Sequence, residues 1–503
     1  MKRQIILLMT DTTRKDMLGC YGNPEMKTPS LDQLAEEGIR YENAYTCQPV
    51  CGPARSAIFT GTFPHTNGVT ANGISMGANV ETIGQRLGRH HIPCGYIGKW
   101  HLDGWDYFGR GICPDGWNQD YWYDMKCYLD ELGPDERVHS RNPQEAYREG
   151  FSESFTYAHR CTDRALKFIE EFQERDFFLT VSYDEPHGPS LCPAPYHSMY
   201  QDFRFPDGPQ YHDDLQDKPL MQRLWAGQNL HADPEQLRGP SPQLAQFLGC
   251  NSYVDYEIGR VLNKIRETIP NAMVIFTSDH GDMLGAHRLF SKNAAAYREV
   301  ANIPLLIKGG AAHRVVHTPA SHIDLAPTIM EYFGLPVPKA MEGHSMLAQI
   351  KDPDVRINDA VFLEFTRYEV DHDGFGGLQP MRAIVDDRYK LVIHLLDTDE
   401  FYDLKEDPHE VHNCIDDDRY ADIRRSLHDR LLAHMNDTRD ECRGYQWRTR
   451  PWREPFEPSW ENEGCTRQPE NDPCEPRQLD YDTGLPMENA VRVKNNQERS
   501  CNE

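Results

Sequence analysis

The chain has no long hydrophobic run. Its N-terminal apolar stretch, Ile5 to Met9, is five residues long. A membrane span needs about 20 such residues. A secretory leader needs an apolar core of roughly 7–15 residues and a small-residue cleavage site. The basic start "MKRQ" therefore imitates a leader without completing one, and Ile5 to Met9 reads as a buried first strand. Positive charge is also scarce. Fifty-three Lys and Arg face 79 Asp and Glu, a formal net charge of -26. That excludes the basic face of a nucleic-acid binder, and nothing resembles a membrane-docking helix. The 14 cysteines are scattered singly, with no CxxC pair, so a zinc finger or thioredoxin-like centre has no support. The expected location is the cytoplasm, where the thiols stay reduced; after export some could pair. There is no internal repeat, and no heptad or apolar stripe encodes an oligomer, which stays open.

What is present is a chain of 503 residues, 39% hydrophobic, enough for a large core and a second, smaller domain. Short apolar runs alternate with helical patterns over the first 350 residues. "QIILLMTD", "CGYIGK", "FFLTVSYDEP", "AMVIFTSDHGD" and "NIPLLIKGG" read as strands. "SLDQLAEEG" (with Ser30 as N-cap), "ETIGQRLG", "FTYAHRCTDRALKFIEEF" and "AQFLGCNSYVDYEIGRVLNKIRE" read as helices. Continuous apolar strands alternating with helices predict an α/β fold: a large mixed, mostly parallel sheet sandwiched by helices. Composition shifts near residue 355. "VFLEFTR", "MRAIVDDRYKLVIHLL" and "DEFYDLKEDP" read as short antiparallel strands, and "RYADIRRSLHDRLLAHMND" as one helix. The expected division is 1–355, a catalytic α/β domain; 356–436, an α+β subdomain; and 437–503, an extended tail wrapping the surface.

Polar residues stand just after the strands: Asp11, Lys99 with His101, His187, and Asp279 with His280. In open α/β sheets the ligand site lies outside the carboxyl ends of the strands, so four loops converge on one crevice. Asp11, Asp279 and His280 suit a hard cation such as calcium or magnesium, with Asp282 a weaker candidate. A lone strand-end Asp is more often a cap or turn residue. Arg55, Lys99, His101, His187 and Lys292 can neutralise a tetrahedral oxyanion. This concentrates basic groups in the pocket of an acidic protein. Cys51, in "CQPVCGPARSAIFTG", stands where a helix would begin. A buried thiol is the bland reading, a nucleophile the sharp one.

The stretch from Cys51 through Pro53 and Arg55 to Thr60–Gly61 resembles the C-x-P-x-R…T-G signature of type I sulfatases, formylglycine-dependent enzymes of the alkaline phosphatase superfamily. "DTTRKDMLGCYG", "GKWHL", "EPHGP", "TSDHGDMLGAH", Lys292 in "FSKNAAAYREVANIPLLI", "SHIDLAPTI" and "FYDLKEDPHE" follow in the family's order. The resemblance implies that Cys51 is oxidised by a maturation enzyme to formylglycine (3-oxoalanine), whose hydrated aldehyde is the nucleophile. It implies that Asp11, Asp279, His280 and an oxygen of modified Cys51 bind Ca2+, with Mg2+ the alternative. Arg55 would hold and polarise the formylglycine. Lys99 and Lys292 would grip sulfate oxygens. His187 would contact the leaving oxygen as general acid, and His101 would take the proton from the diol as the sulfated intermediate collapses. Cys47 also stands in C-x-P, but Cys51 replaces the arginine, which makes Cys47 structural.

Two departures stand out. Thr12 replaces a second aspartate common in the family, which removes one negative charge from the metal site. No export signal accompanies the chain, which implies a cytoplasmic, cysteine-type enzyme acting on a small sulfated compound, a sulfated sugar above a lipid. The alternative is a phosphonate monoester or phosphodiester hydrolase of the same superfamily. A non-catalytic binding protein is disfavoured because every polar member of the constellation is present. The long aromatic-rich loop after "GKWHLDGWDYFGRG" could stack on a sugar ring or simply pack.

Overall fold

The computed structural model describes residues 2–104, 107–369, 377–453 and 479–485. The strands of the main sheet are β1 (Gln4–Asp11), β2 (Ile39–Tyr41), β3 (Cys94–Gly98), β4 (Phe177–Pro186), β5 (Met273–Ser278), β6 (Leu305–Lys308) and β7 (Arg314–Val316). They lie in the order β3-β4-β1-β5-β6-β2-β7. The first four are mutually parallel, so their carboxyl ends share one edge. The sheet is mixed and mostly parallel, as the sequence predicts, and β2 also pairs parallel with β7. β6 runs antiparallel to both β5 and β2.

Continuous apolar strands follow from burial on both faces. Ile5, Leu7 and Met9 of β1 join the core formed with helices α2 (Cys51–Thr60), α3 (Ile83–Gly88) and α6 (Leu325–Tyr332). Ile6 and Leu8 face the opposite layer, built from α1 (Pro29–Glu37), α4 (Tyr157–Phe172) and α5 (Pro242–Thr268). α1 starts two residues earlier than expected, at Pro29, with Thr28 as N-cap. Ser30 is therefore not the cap. The Asp255 carboxylate of α5 instead accepts from the backbone N–H groups of Ser30 (3.1 Å) and Leu31 (2.8 Å), satisfying the orphan donors from a distance.

The second sheet is a four-stranded antiparallel meander: β8 (Val361–Phe365), β9 (Met381–Val385), β10 (Tyr389–His394) and β11 (Glu400–Asp403). One face packs on α7 (Ala421–Asp437). The other meets Val50, Ala294 and Ala296, the neighbours of Cys51 and Lys292. After α7 the chain stays packed: Trp447 is buried, and Arg450 grips the Asp399 carboxylate at 2.7 and 2.8 Å. Much of the expected tail, residues 454–478 and 486–503, lies outside the described residues. Among the described residues, no helix is long and apolar enough to cross a membrane.

Candidate active site

Register sets the site. Gly98 pairs with Ser182, Asp11 with Pro186, and Thr10 with Ser278. The polar residues after β3, β4, β1 and β5 therefore arrive at one level. Across that edge lies α2, with Cys51 as its first residue and Val50 as N-cap. Pro53 fits the first turn, where its missing N–H would have no partner anyway. Gly61, at φ 70°, closes the helix in the left-handed region, which explains the T-G ending. Cys51 and Arg55 are four positions apart, so both lie on one face of the helix.

Arg55 is completely buried. Its Nε donates to Asp279 Oδ2 (3.0 Å) and its Nη2 to Asp11 Oδ2 (3.1 Å). Nη1 donates to the Lys99 carbonyl and to Ser182 Oγ, both at 2.7 Å. The guanidinium thus ties the ends of β1, β3, β4 and β5 together. Lys99 Nζ lies 2.8 Å from Asp11 Oδ2 and 3.0 Å from Asp184 Oδ1.

Cys51 Sγ sits 3.0 Å from Lys292 Nζ, 3.2 Å from His280 Nε2 and 3.8 Å from Asp11 Oδ1. Burial and Asp11 push the thiol pKa up, but Lys292, Lys99 and His280 outweigh them and bring it well below the ordinary value. Burial likewise raises the Asp11 carboxyl, and Lys99, His187, Lys292 and Arg55 reverse that effect. Cys47, by contrast, is buried beside Ser321 Oγ (3.4 Å), with its thiol pKa pushed up by burial.

One donor from each of Asp11, Cys51, Asp279 and His280 lies within 4.8 Å of the others. The set fits a divalent cation. Burial and Asp11 push the Asp279 pKa up to about 6, a repulsion that a dication relieves. His280 Nδ1 lies 2.8 Å from the Gly281 carbonyl; a proton there leaves Nε2 bare as a ligand. Thr12, at φ 72°, donates from Oγ1 to Asp11 Oδ1 (2.6 Å), and Asp279 Oδ1 accepts from its N–H (3.2 Å). Its hydroxyl orients a carboxylate. Asp282 is outside the cluster; its Oδ1 accepts from the N–H groups of Leu284 and Ser291 and shapes a turn.

His187 and Lys292, with Thr12 and Asp282, line a cavity of about 490 Å³ whose farther walls include Gln236, Gln243, Leu244, Phe247 and Phe290. Burial and Lys99 lower the His187 pKa. His101 is buried in the same region at φ 58°, with its ring 5.5 Å from that of Tyr107. Its carbonyl borders Gly52. Sequence reasoning missed Asp184, Ser182, Asn72 and Tyr107. Asp184 and Ser182 end β4 just before the recognised His187, and strand-end polarity pointed to that place. Asn72 Oδ1 accepts from the Gly52 N–H (2.8 Å), and no pattern announces it.

The sulfatase family model matches residues 3–335, and the model for the C-terminal part of N-sulphoglucosamine sulphohydrolase matches residues 285–437. The chain is 43% identical to the uncharacterized sulfatase YidJ of Escherichia coli over 509 aligned residues, covering 99% of this chain and 100% of that one. A solved structure in complex with its substrate D-glucosamine-2-N,6-O-disulfate superposes with a TM-score of 0.73 at 22% identity, covering 88% of this chain and 99% of that one. The phosphonate monoester hydrolase of Agrobacterium radiobacter gives 0.72 at 22% identity, covering 87% and 96%. The chain belongs to the sulfatase family, within the alkaline-phosphatase-like superfamily, and is a sulfuric ester hydrolase.

Proposed function

We propose that this enzyme hydrolyses the sulfate ester of a small sulfated compound, a sugar above a lipid, using Cys51 in its oxidised, formylglycine form. One observation carries the reading. Cys51 begins a helix and stands against Lys292, which lines the cavity, and against His280, beside two buried carboxylates. Sγ marks where an oxygen of the modified side chain would lie. Oxidised Cys51 supplies a hydrated aldehyde, a nucleophile that splits one hard displacement into two steps. Asp11, Asp279, His280 and position 51 would hold Ca2+ (or Mg2+), which when bound makes a hydroxyl easier to deprotonate.

The chain's own side chains account for the rest. Arg55 fixes the two carboxylates and the strand ends, and through them position 51. Lys99 and Lys292, both cationic and buried, hold sulfate oxygens and offset the charge that grows on them. His187, at the cavity wall, holds a proton for the leaving oxygen. His101 takes up a proton as the site is regenerated. The disulfated glucosamine substrate of the fold relative favours a sugar for this pocket. The phosphonate hydrolase of like fold makes the alternative chemistry worth a direct comparison. Residues 1–355 would form the catalytic domain, 356–436 the subdomain and 437–503 the tail. Free cysteines among the described residues favour a reducing compartment, the cytoplasm, and a maturation enzyme there would be the required partner.

The test is a mass spectrum of the tryptic peptide 41–55, "YENAYTCQPVCGPAR", from protein made in its native host. An aldehyde at Cys51 alone is expected, with aryl sulfate turned over faster than matched phosphate diester or phosphonate. An unmodified thiol in fully active protein would overturn the mechanism. Faster turnover of the phosphonate would overturn the substrate class.

A further inference from the structure

Two groups outside the family motifs, Tyr107 and Asp184, form a chain behind His187. His187 Nδ1 lies 2.9 Å from Tyr107 Oη and 3.0 Å from the Gly188 carbonyl. Tyr107 Oη lies 2.6 Å from Asp184 Oδ1. Asp184 is nearly fully buried and also receives Lys99 Nζ at 3.0 Å. The His187 N–H bonds back to the Asp184 carbonyl (3.0 Å), so one tight turn carries both ends of the chain. Lys99 Nζ stands 4.2 Å from the centre of the Tyr107 ring and restrains its plane.

Donor and acceptor roles follow from the end point. Asp184 is ionised, because Lys99 and His187 outweigh the burial that would raise its pKa. An ionised carboxylate only accepts, so the tyrosine O–H donates to Asp184. The tyrosine oxygen then accepts, and the partner able to donate to it is Nδ1–H of His187. A carbonyl, Gly188 O, is the second acceptor for the same proton. Both contacts therefore hold the proton on Nδ1 and leave Nε2, on a ring that lines the cavity, with no hydrogen-bond partner among the described residues.

We infer that Tyr107 is a positioning residue: with Asp184 it fixes the His187 tautomer and stabilises its imidazolium, so that Nε2 delivers the leaving-group proton. This rests on the reading of His187 as general acid. As the sulfur–oxygen bond breaks, its electron pair stays on the leaving oxygen. The proton passes from Nε2 to that oxygen, and His187 remains neutral with Nδ1–H in place. The charged groups facing His187 are Lys99, Asp11, Lys292 and Asp184. The lysines disfavour the imidazolium and the carboxylates favour it. Tyr107 is the link that passes the Asp184 charge to the ring.

The experiment compares Tyr107→Phe and His187→Ala with the wild type on two substrates, 4-nitrophenyl sulfate and an alkyl sulfate. The first leaves without acid assistance; the second needs it. Outer groups that orient a catalytic imidazole are worth about 10–100-fold. Tyr107→Phe is expected to lose about 10-fold or more in kcat on the alkyl sulfate and less than about 3-fold on the aryl sulfate. The alkaline limb of the alkyl-sulfate profile should also move to lower pH, because the imidazolium has lost its support. If His187→Ala shows no dependence on the leaving group, the general-acid reading fails. If His187→Ala shows it and Tyr107→Phe does not, the Tyr107 inference fails alone. A second readout needs neither maturation nor metal. In 15N-histidine-labelled Cys51→Ala protein, with the His187 signal assigned by its loss in His187→Gln, Nδ1 should be the protonated nitrogen of the neutral ring. Adding Tyr107→Phe should mix the tautomers. An Nε2-protonated ring, or no change with Tyr107→Phe, overturns the inference.

Discussion

Gly98 ends β3 beside Ser182, at φ +117°, where L side chains rarely go. A Cβ built there would lie 1.9 Å from the Ser182 carbonyl oxygen and 2.5 Å from its carbon, against a floor of 3.0 Å for real contacts. Gly98→Ala must therefore open β3 from β4 by about 1 Å or twist the chain. Overpacking costs about 1–3 kcal/mol and enforced backbone strain about 1–3 kcal/mol, so the total is about 2–6 kcal/mol. The next residue is Lys99, whose N–H donates to that same carbonyl at 2.7 Å and whose Nζ spans Asp11 and Asp184. A 1 Å displacement of such a group costs about 100-fold in rate. Gly104→Ala is the internal control. Gly104 has φ +122° but nothing within 4 Å of its built Cβ, so it carries the strain without the clash. Urea unfolding followed by tryptophan fluorescence, and kcat on 4-nitrophenyl sulfate, are read for both. Gly98→Ala should be the less stable by the overpacking cost and lose most activity, while Gly104→Ala keeps its fold. Equal stability within about 0.5 kcal/mol, with kcat intact in both, would refute the packing argument.

Calcium at 100 times its dissociation constant should stabilise the wild type by about 2.7 kcal/mol over chelator-treated protein. Asp11→Asn and Asp279→Asn should lose that gain, and equal urea midpoints for wild type with calcium and with chelator would count against the metal site. Acid should weaken the fold below pH 6.5 through buried histidines. His434, stacked on Phe362 with ring centres 3.7 Å apart, has its pKa lowered to about 3 by burial and by His65; burial likewise lowers His322 to about 3 and His428 to about 4. Unfolded histidine titrates near 6.5, so from there down to about pH 3 the unfolded chain takes up a proton that folded His434 refuses. Its stabilising effect is present above pH 6.5 and is lost as pH falls. His434→Phe should reduce the slope of stability between pH 4 and 6 by up to about 1.4 kcal/mol per pH unit; an unchanged slope would remove His434 from the linkage.

The sequence by itself determined the sheet edge where chemistry would gather. Apolar runs longer than one alternation mean burial on both faces, and "IILLMTD", "CGYIGK" and "VIFTSDH" each break into polar residues where burial ends. Cys51 and Arg55 were legible for a similar reason: proline in a first turn, glycine after the last, and a spacing of four positions that puts two groups on one face. The antiparallel small sheet showed in its short strands and turn residues. What the sequence did not hold is register and direction across long separations. β6 carries the same apolar signature as a parallel strand, because burial on both faces does not record which way a strand runs. Ser30 looked like a cap because a local hydroxyl is the usual solution; Asp255, 225 residues later, took the position instead. Thr12 looked like a missing charge until its hydroxyl was found holding Asp11. Asp184 and Tyr107 are ordinary residues in one dimension. They become a support for His187 only when a loop after β3 folds across the end of β4, since a hydrogen bond depends on distances of about 3 Å that only tertiary packing decides.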